Sequence, residues 1–226
     1  MHVIFFDIDG TLLSTGGAGQ AAMEAALAAE FQADRPVEGI PMAGRTDRAI
    51  VTDLFSFYGV EVNEERWNRF SVAYFRQLTE TLKSRDGLLL PGVVALLQEL
   101  NRRDDVLLGL LTGNFREGAR LKLEHYEIFH FFQFGGFGDV HHHRNDVAGE
   151  ALSQAVKHHN REFAADRVWV IGDTPADVEC ARFIGANAVA VTTGSFRRDE
   201  LEVTSPDHLF EDFSDPAAFL SLLTDS

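Results

Sequence analysis

Past the Pro91-Gly92 pair, short apolar runs alternate with helical stretches, and this alternation restricts the fold more than any other feature of the chain. The spacing predicts helices over 93–100, 116–126 and 145–158, interleaved with strands over 106–111, 131–134, 168–171 and 188–191. Thr174-Pro175 has the form of an N-cap and first helical position, and Gly185 that of a stop. Asp215-Pro216 opens a last helix in the same way. Strand–helix alternation implies an α/β fold in which helices cover both faces of a doubly wound parallel sheet.

One further strand is expected at the start, where 3–6 is a short run of strand formers that ends in acids. The texture then changes. Residues 14–19 are small and Gly-rich, and 20–31 are Ala-rich and helical. Ile50, Val51, Leu54, Phe55 and Tyr58 fall on one face of a second helix. Asn63 is placed to cap a third, which carries Trp67, Phe70, Tyr74, Leu78 and Leu82 at helical spacing. No strand is expected between 16 and 85. The expected organisation is a discontinuous catalytic core, 1–15 plus 88–226, with an all-helical cap inserted at 16–87. A chain of 226 residues is long enough to bury a core and carry such a second unit.

Three of the expected strands end in polar residues, at the edge where parallel α/β sheets bind ligands. The first gives Asp7-Ile8-Asp9-Gly10-Thr11, the second Thr112-Gly113-Asn114, the third Gly172-Asp173-Thr174-Pro175-Ala176-Asp177. Acids just beyond buried strands are costly unless paired or bound to metal. Taken together, these motifs resemble those of the haloacid dehalogenase-like superfamily, specifically its phosphatases with a helical cap after the first strand. The resemblance covers essentially the whole chain.

The chemistry of these residues agrees with it. A carboxylate can attack phosphorus to give an acyl phosphate, dividing one hard hydrolysis into two easier steps. Asp7 stands where that nucleophile belongs. Asp9 can protonate the leaving alkoxide and then activate water. Gly10 permits a sharp exit from the strand. The 35 acidic residues outnumber Lys plus Arg by 15, so the chain repels a phosphate at long range and needs a local positive centre. Mg²⁺, a hard dication, suits carboxylate plus phosphate. The resemblance implies that its ligands are the Asp7 carboxylate, the Asp9 backbone carbonyl and the Asp173 carboxylate. Asp177 is counted with the metal site, supporting it through water or orienting its partners. Thr112 resembles the family's phosphate-binding hydroxyl, with Gly113 and Asn114 beside it as substrate contacts. The family also places a cation, usually Lys, between the second and third of these motifs and just before a helix, which points to 143–148. No Lys occurs between Lys122 and Lys157, and the role falls to Arg144. In the cap, Arg45 and Thr46 are expected to bind substrate, although Thr46 and Asp47 suit a helix N-cap and first turn equally well.

Other features are set aside. Gly17-Ala18-Gly19 loosely matches a dinucleotide fingerprint, but it does not close a strand and suits a hinge whose returning half is Asp86-Gly87. His141, His142 and His143 are consecutive and cannot easily converge on one metal. Cys180 reads as core filler, and a lone cysteine fits a reducing cytoplasm. The start of the chain reads as a strand, not as a signal peptide. The acidic balance and the lack of long apolar runs exclude nucleic acid and membrane partners. A small phosphorylated metabolite is the expected partner, with phosphoglycolate as first candidate; the oligomeric state is left open. A phosphosugar mutase is the alternative enzyme, but such mutases place a histidine near Gly19 and 16–87 contain none. Phosphonate hydrolysis would need an imine-forming lysine early in the cap, where the sole cap lysine is Lys83. Dehalogenation would not need Asp9. A non-catalytic phospho-accepting or binding module would be expected to have lost Asp7, Asp9 or Asp173, and all three are present.

Overall fold

The computed structural model describes residues 1–33, 35–37 and 39–223. Strand β1 (His2–Phe6) is followed by the two-residue β2 (Leu13–Ser14) and three helices, α1 (Ala18–Phe31), α2 (Asp47–Tyr58) and α3 (Glu64–Ser84). The chain returns through β3 (Leu88–Leu89) into α4 (Val93–Asn101), β4 (Val106–Leu111), α5 (Arg116–His125) and β5 (Phe134–Gly136). It continues with α6 (Arg144–His159), β6 (Val168–Gly172), α7 (Pro175–Phe183), β7 (Asn187–Val191), α8 (Arg198–Glu202), β8 (His208–Phe210) and α9 (Pro216–Leu222).

Six strands form one parallel sheet in the order β5-β4-β1-β6-β7-β8. The chain places β4 on one side of β1 and β6 on the other, so the winding reverses at β1. A crevice therefore opens at the carboxyl ends of these three strands. Phe6 pairs with Leu110 and Ile171, which sets the residues after β1, β4 and β6 side by side.

Strand β1 is buried along its whole length because helices cover both faces of the sheet. Its side chains alternate between two cores. Ile4 and Phe6 join Leu96, Leu110 and Phe132 on one face. Val3 and Phe5 join Val147, Val170 and Ala181 on the other. A third core lies within the helical insertion, where Leu27, Leu54, Phe55, Phe70 and Leu78 pack together. Phe115, which precedes α5, enters this third core and ties the insertion to the sheet unit.

The helices of the insertion begin and end for local reasons. The Thr46 hydroxyl accepts the Ala49 N–H at the start of α2, and Gly59 takes a φ of 68° at its end. The Asn63 side chain accepts the Arg66 N–H at the start of α3. The chain enters and leaves the insertion through the antiparallel β2–β3 pair. Gly16, with a φ of 60°, sits so close to the Asp86 carbonyl that a side chain would overlap it.

Two expectations shift. Strand β5 occupies Phe134–Gly136 instead of 131–134, and Phe129–Phe131 form a 3₁₀ turn. Gly136 is needed in the strand because α6 backbone lies against it, where a Cβ would overlap the Val147 carbonyl. Strand β8 and helix α8 were not foreseen, being too short to show periodicity.

Phe6 is fully buried and directly precedes Asp7. Phe6→Ala is expected to lower stability by about 3–5 kcal/mol through lost burial and a residual cavity. Urea unfolding followed by circular dichroism measures this, and a loss below about 1 kcal/mol would contradict the packing described.

Candidate active site

The polar residues that follow β1, β4 and β6 meet beneath the helical insertion, on the floor of a cavity of about 600 Å³. Asp7, Asp9, Asn114, Lys122, Arg144 and Asp173 line its sheet side, and Met23, Ile50 and Tyr74 line its helical side. Asp7 is buried and its Oδ1 forms an ion pair with Arg144 Nη2 at 2.9 Å. The same nitrogen donates to Asp177 Oδ1 at 2.6 Å and to the Leu111 carbonyl at 3.3 Å. Arg144 thus opens α6 with its guanidinium folded under the sheet end, joining the loops after β1 and β6.

Asp173 is held from three sides. Thr11 Oγ1 donates to its Oδ1 at 3.1 Å, while Gly10 and Gly194 present bare Cα atoms where any Cβ would overlap the carboxylate. Gly10 has a φ of 87°, and Thr193 Oγ1 fixes its carbonyl with a 2.6 Å bond. Asp7, Asp173 and Asp177 offer carboxylate oxygens within 4.8 Å of one another.

This crowding shifts their charge states. Burial pushes the Asp7 carboxyl above its ordinary value; Arg144 opposes this, and Asp177 and Asp9 reinforce it. Burial raises Asp173 as well, with Asp177 and Asp7 adding to the rise. Burial alone would lower Arg144, yet Asp177 and Asp7 outweigh it and hold the guanidinium charge more firmly than usual. Three carboxylates face one guanidinium, and a cation would relieve the remaining repulsion. All the donors are hard oxygens, as a Mg²⁺ site requires. Asp7 and Asp173 fit that role. Asp177 does not face the cavity: its Oδ1 is taken by Arg144, and its Oδ2 accepts the Thr174 N–H and hydroxyl. Its carboxylate holds the Arg144 guanidinium and stays within 4.8 Å of the Asp7 and Asp173 oxygens.

A family model for haloacid dehalogenase-like hydrolases matches residues 4–182, most of the chain and all of these loops but the one bearing Gly194. The chain belongs to the haloacid dehalogenase-like hydrolase family. A phosphoglycolate phosphatase of Synechococcus elongatus is 36% identical over 140 residues, a match spanning 62% of each chain and so under two thirds of either. A phosphoglycolate phosphatase of Caulobacter vibrioides is 27% identical and covers 98% of this chain and 92% of its own. The solved structure of a hydrolase from Pseudomonas syringae superposes with a TM-score of 0.69 over 98% of each chain at 24% identity, which shows the shared fold.

The other expected site residues of this haloacid dehalogenase-like hydrolase divide. Asn114 reaches the cavity and donates from Nδ2 to Asp9 Oδ2 at 2.8 Å. Gly113 lines the cavity, and its carbonyl accepts the Asp47 N–H at 2.7 Å. Thr112 lies directly behind, fully buried, with its hydroxyl accepting from Asn114 Nδ2 at 2.8 Å. Arg45 borders the cavity, but its guanidinium is engaged by Asp53 at 2.7 Å and the Pro41 carbonyl at 3.1 Å. Thr46 is not brought to the cavity. It is fully buried as the N-cap of α2, with its hydroxyl directed to the His142 carbonyl. His141 pairs with Glu150, and the three histidines are not part of the acidic cluster. Burial pushes the Cys180 thiol up to about 12, in keeping with core filler.

Sequence reasoning passed over Lys122 and Asp47. Lys122 falls on the inward face of α5 with Ala119 and Leu123, and a lysine on an apolar face is the signal that was available. Asp47 reads as an ordinary first-turn acid, but its Oδ2 accepts the Phe115 N–H at 2.8 Å across the junction between insertion and sheet unit.

Burial raises the Asp47 carboxyl from 3.8 to about 7; Lys122 and the Phe115 hydrogen bond oppose the shift, and Asp9 and Asp139 add to it. A folded value above the unfolded one contributes stability at low pH that is lost as pH rises through about 7. Asp47→Asn keeps an acceptor for Phe115 and removes the titration. In EDTA, the stability of this variant relative to wild type is expected to rise between about pH 4 and pH 8. Urea midpoints across that range check this, and a constant difference would contradict it.

Proposed function

We propose that the chain is a Mg²⁺-dependent phosphatase that hydrolyses a small phosphate monoester through a phosphoaspartyl intermediate on Asp7. The observation that carries this is the pairing of a buried strand-end carboxylate, Asp7, with the Arg144 guanidinium at 2.9 Å, with Asp9 two residues on and Asp173 alongside. Asp7 attacks phosphorus through one carboxylate oxygen, forming an O–P bond as the ester P–O bond breaks. Asp9 gives its proton to the departing alkoxide. The Asp9 carboxylate then takes a proton from the water that attacks the phosphoaspartate, and phosphate leaves with Asp7 restored. Arg144 offsets the charge on Asp7 and the incoming phosphoryl group. Its buried Nε has no hydrogen-bond partner among the described residues. The Asp7 and Asp173 carboxylates and the Asp9 carbonyl would hold Mg²⁺, whose charge, when bound, lets carboxylate and phosphate approach.

The division into a core of 1–15 plus 88–226 and a cap of 16–87 belongs to this proposal, with β2–β3 as the hinge. A cavity closed over by three helices suits a small molecule better than a phosphorylated protein surface. Phosphoglycolate is the first substrate to test, since the relatives from Synechococcus and Caulobacter carry that name. No helix among the described residues is long and apolar enough to cross a membrane. A cytoplasmic setting agrees with the single buried Cys180.

EDTA is expected to abolish phosphoglycolate and p-nitrophenyl phosphate turnover, and Mg²⁺ to restore it. Asp7→Asn is expected to remove acid-stable phosphate labelling of the protein. Full turnover in EDTA, or a labelled Asp7→Asn chain, would overturn the mechanism. Arg144→Ala is expected to lower kcat by about 10²–10³-fold, as for removal of one preorganised donor. Arg144→Lys recovers part of that loss if point charge dominates and little if the forked geometry does. Steady-state kinetics measures both, and wild-type kcat in Arg144→Ala would place the cation elsewhere.

A further inference from the structure

We propose that Lys122 is a positioning residue for the proton transfers of Asp9: its ammonium clamps one oxygen of that carboxylate and leaves the other to work. The proposal rests on the acid–base role assigned to Asp9 above.

Lys122 has a side chain only 5% exposed. A buried ammonium is costly unless its donors are matched by acceptors. Here two are matched at the distances of strong charge-assisted bonds. Lys122 Nζ lies 2.6 Å from Asp9 Oδ2 and 2.6 Å from Asn114 Oδ1. Asn114 closes the ring, donating from Nδ2 to the same Asp9 Oδ2 at 2.8 Å and to Thr112 Oγ1 at 2.8 Å. Both donors to the Asp9 side chain fall on Oδ2. Among the described residues, none falls on Oδ1.

The two oxygens of Asp9 are therefore unequal. Oδ2 is gripped twice, so rotating the carboxylate means breaking two bonds at once. The side chain stays 40% exposed and borders the cavity, which leaves Oδ1 as the oxygen free to meet a leaving group. A proton donor must sit within hydrogen-bond reach of that group, and small misplacements are expensive in rate. Three elements build the clamp. Helix α5 carries Lys122, the loop after β4 carries Asn114, and α1 makes room at Gly19, where a Cβ would lie 3.4 Å from the ammonium. The two cations of the site divide the work. Arg144 holds Asp7, and Lys122 holds Asp9.

The test compares kcat/KM for phenyl phosphate, whose leaving oxygen needs a proton, with that for p-nitrophenyl phosphate, whose leaving oxygen does not. Lys122→Met keeps the length and apolar stem of the side chain, and a thermal melt establishes that it folds. The loss with phenyl phosphate is expected to exceed the loss with p-nitrophenyl phosphate by about 10-fold or more. In Lys122→Ala, added ethylammonium is expected to restore phenyl phosphate turnover several-fold while leaving wild type unaffected. Equal losses on both esters, or a rise in KM alone, would overturn the proposal, as would failure of the amine to rescue. Asp9→Asn separates the two ideas. If it shows the leaving-group difference and Lys122→Met does not, the clamp alone is wrong. If Asp9→Asn shows none, the acid–base role of Asp9 fails and the clamp with it. Adding Lys122→Met to Asp9→Asn is expected to cost little more than Asp9→Asn alone, because the clamped group is already gone.

Discussion

The bond network on Arg144 is the interaction on which the rest of the site depends. Placing three carboxylates within 4.8 Å of one another beneath a sheet would expel them if no cation were fixed among them. Arg144 is that cation. One nitrogen spans Asp7, Asp177 and the Leu111 carbonyl, and so ties together the ends of β1, β4 and β6. Asp177 in turn accepts from Thr174 at the start of α7, so the helix that follows β6 is oriented by the same carboxylate that holds the guanidinium. Removing Arg144 would leave Asp7 and Asp177 as buried charges without their partner, which is far more costly than losing a surface pair.

Close backbone approach does the remaining work. Gly10 and Gly194 flank the Asp173 carboxylate, and Gly172 leaves the space that the Asp177 side chain fills. Each is a place where a methyl group would displace a carboxylate of the site. The Asp7 and Asp173 carboxyls are raised chiefly by burial, and the neighbouring carboxylates add to the rise. A hard dication between Asp7 and Asp173 would compete with protons there and reverse the rise.

Much of this was legible in the sequence because it follows from periodicity and local chemistry. The 106–111 strand, the Asn63 cap and the Thr174-Pro175 helix start depend on neighbours within a few residues, and the structure holds them there. The three strand-end motifs converge because a parallel sheet puts carboxyl ends together. What was not legible depends on distant packing. The spacing of Asp177 from Asp173 does not reveal that its Oδ1 is held by Arg144, 33 positions away in the chain. Thr46 was read two ways, and the cap prevailed because α2 is pressed onto the loops after β4 and β5. Lys122 meets Asp9 across 113 residues, a pairing that no local pattern encodes.

The junction between insertion and sheet unit is built largely from hydrogen bonds to backbone. The Asp47 N–H donates to the Gly113 carbonyl and the Arg48 N–H to the Gly138 carbonyl, while the Asp47 carboxyl accepts the Phe115 N–H. These bonds satisfy backbone donors that a helix start leaves unpaired, and they do so with acceptors on the other unit. Gly113 and Gly138 permit the approach, since a Cβ on either would overlap backbone. Phe115 seals the contact by entering the apolar core of the insertion. The loop that carries Thr112, Gly113 and Asn114 is therefore gripped from the cap side when the cavity is covered, and Asn114 is a member of the ring that holds Asp9. The same short loop therefore joins the cover of the cavity, through Gly113 and Phe115, to the ring that holds Asp9, through Asn114.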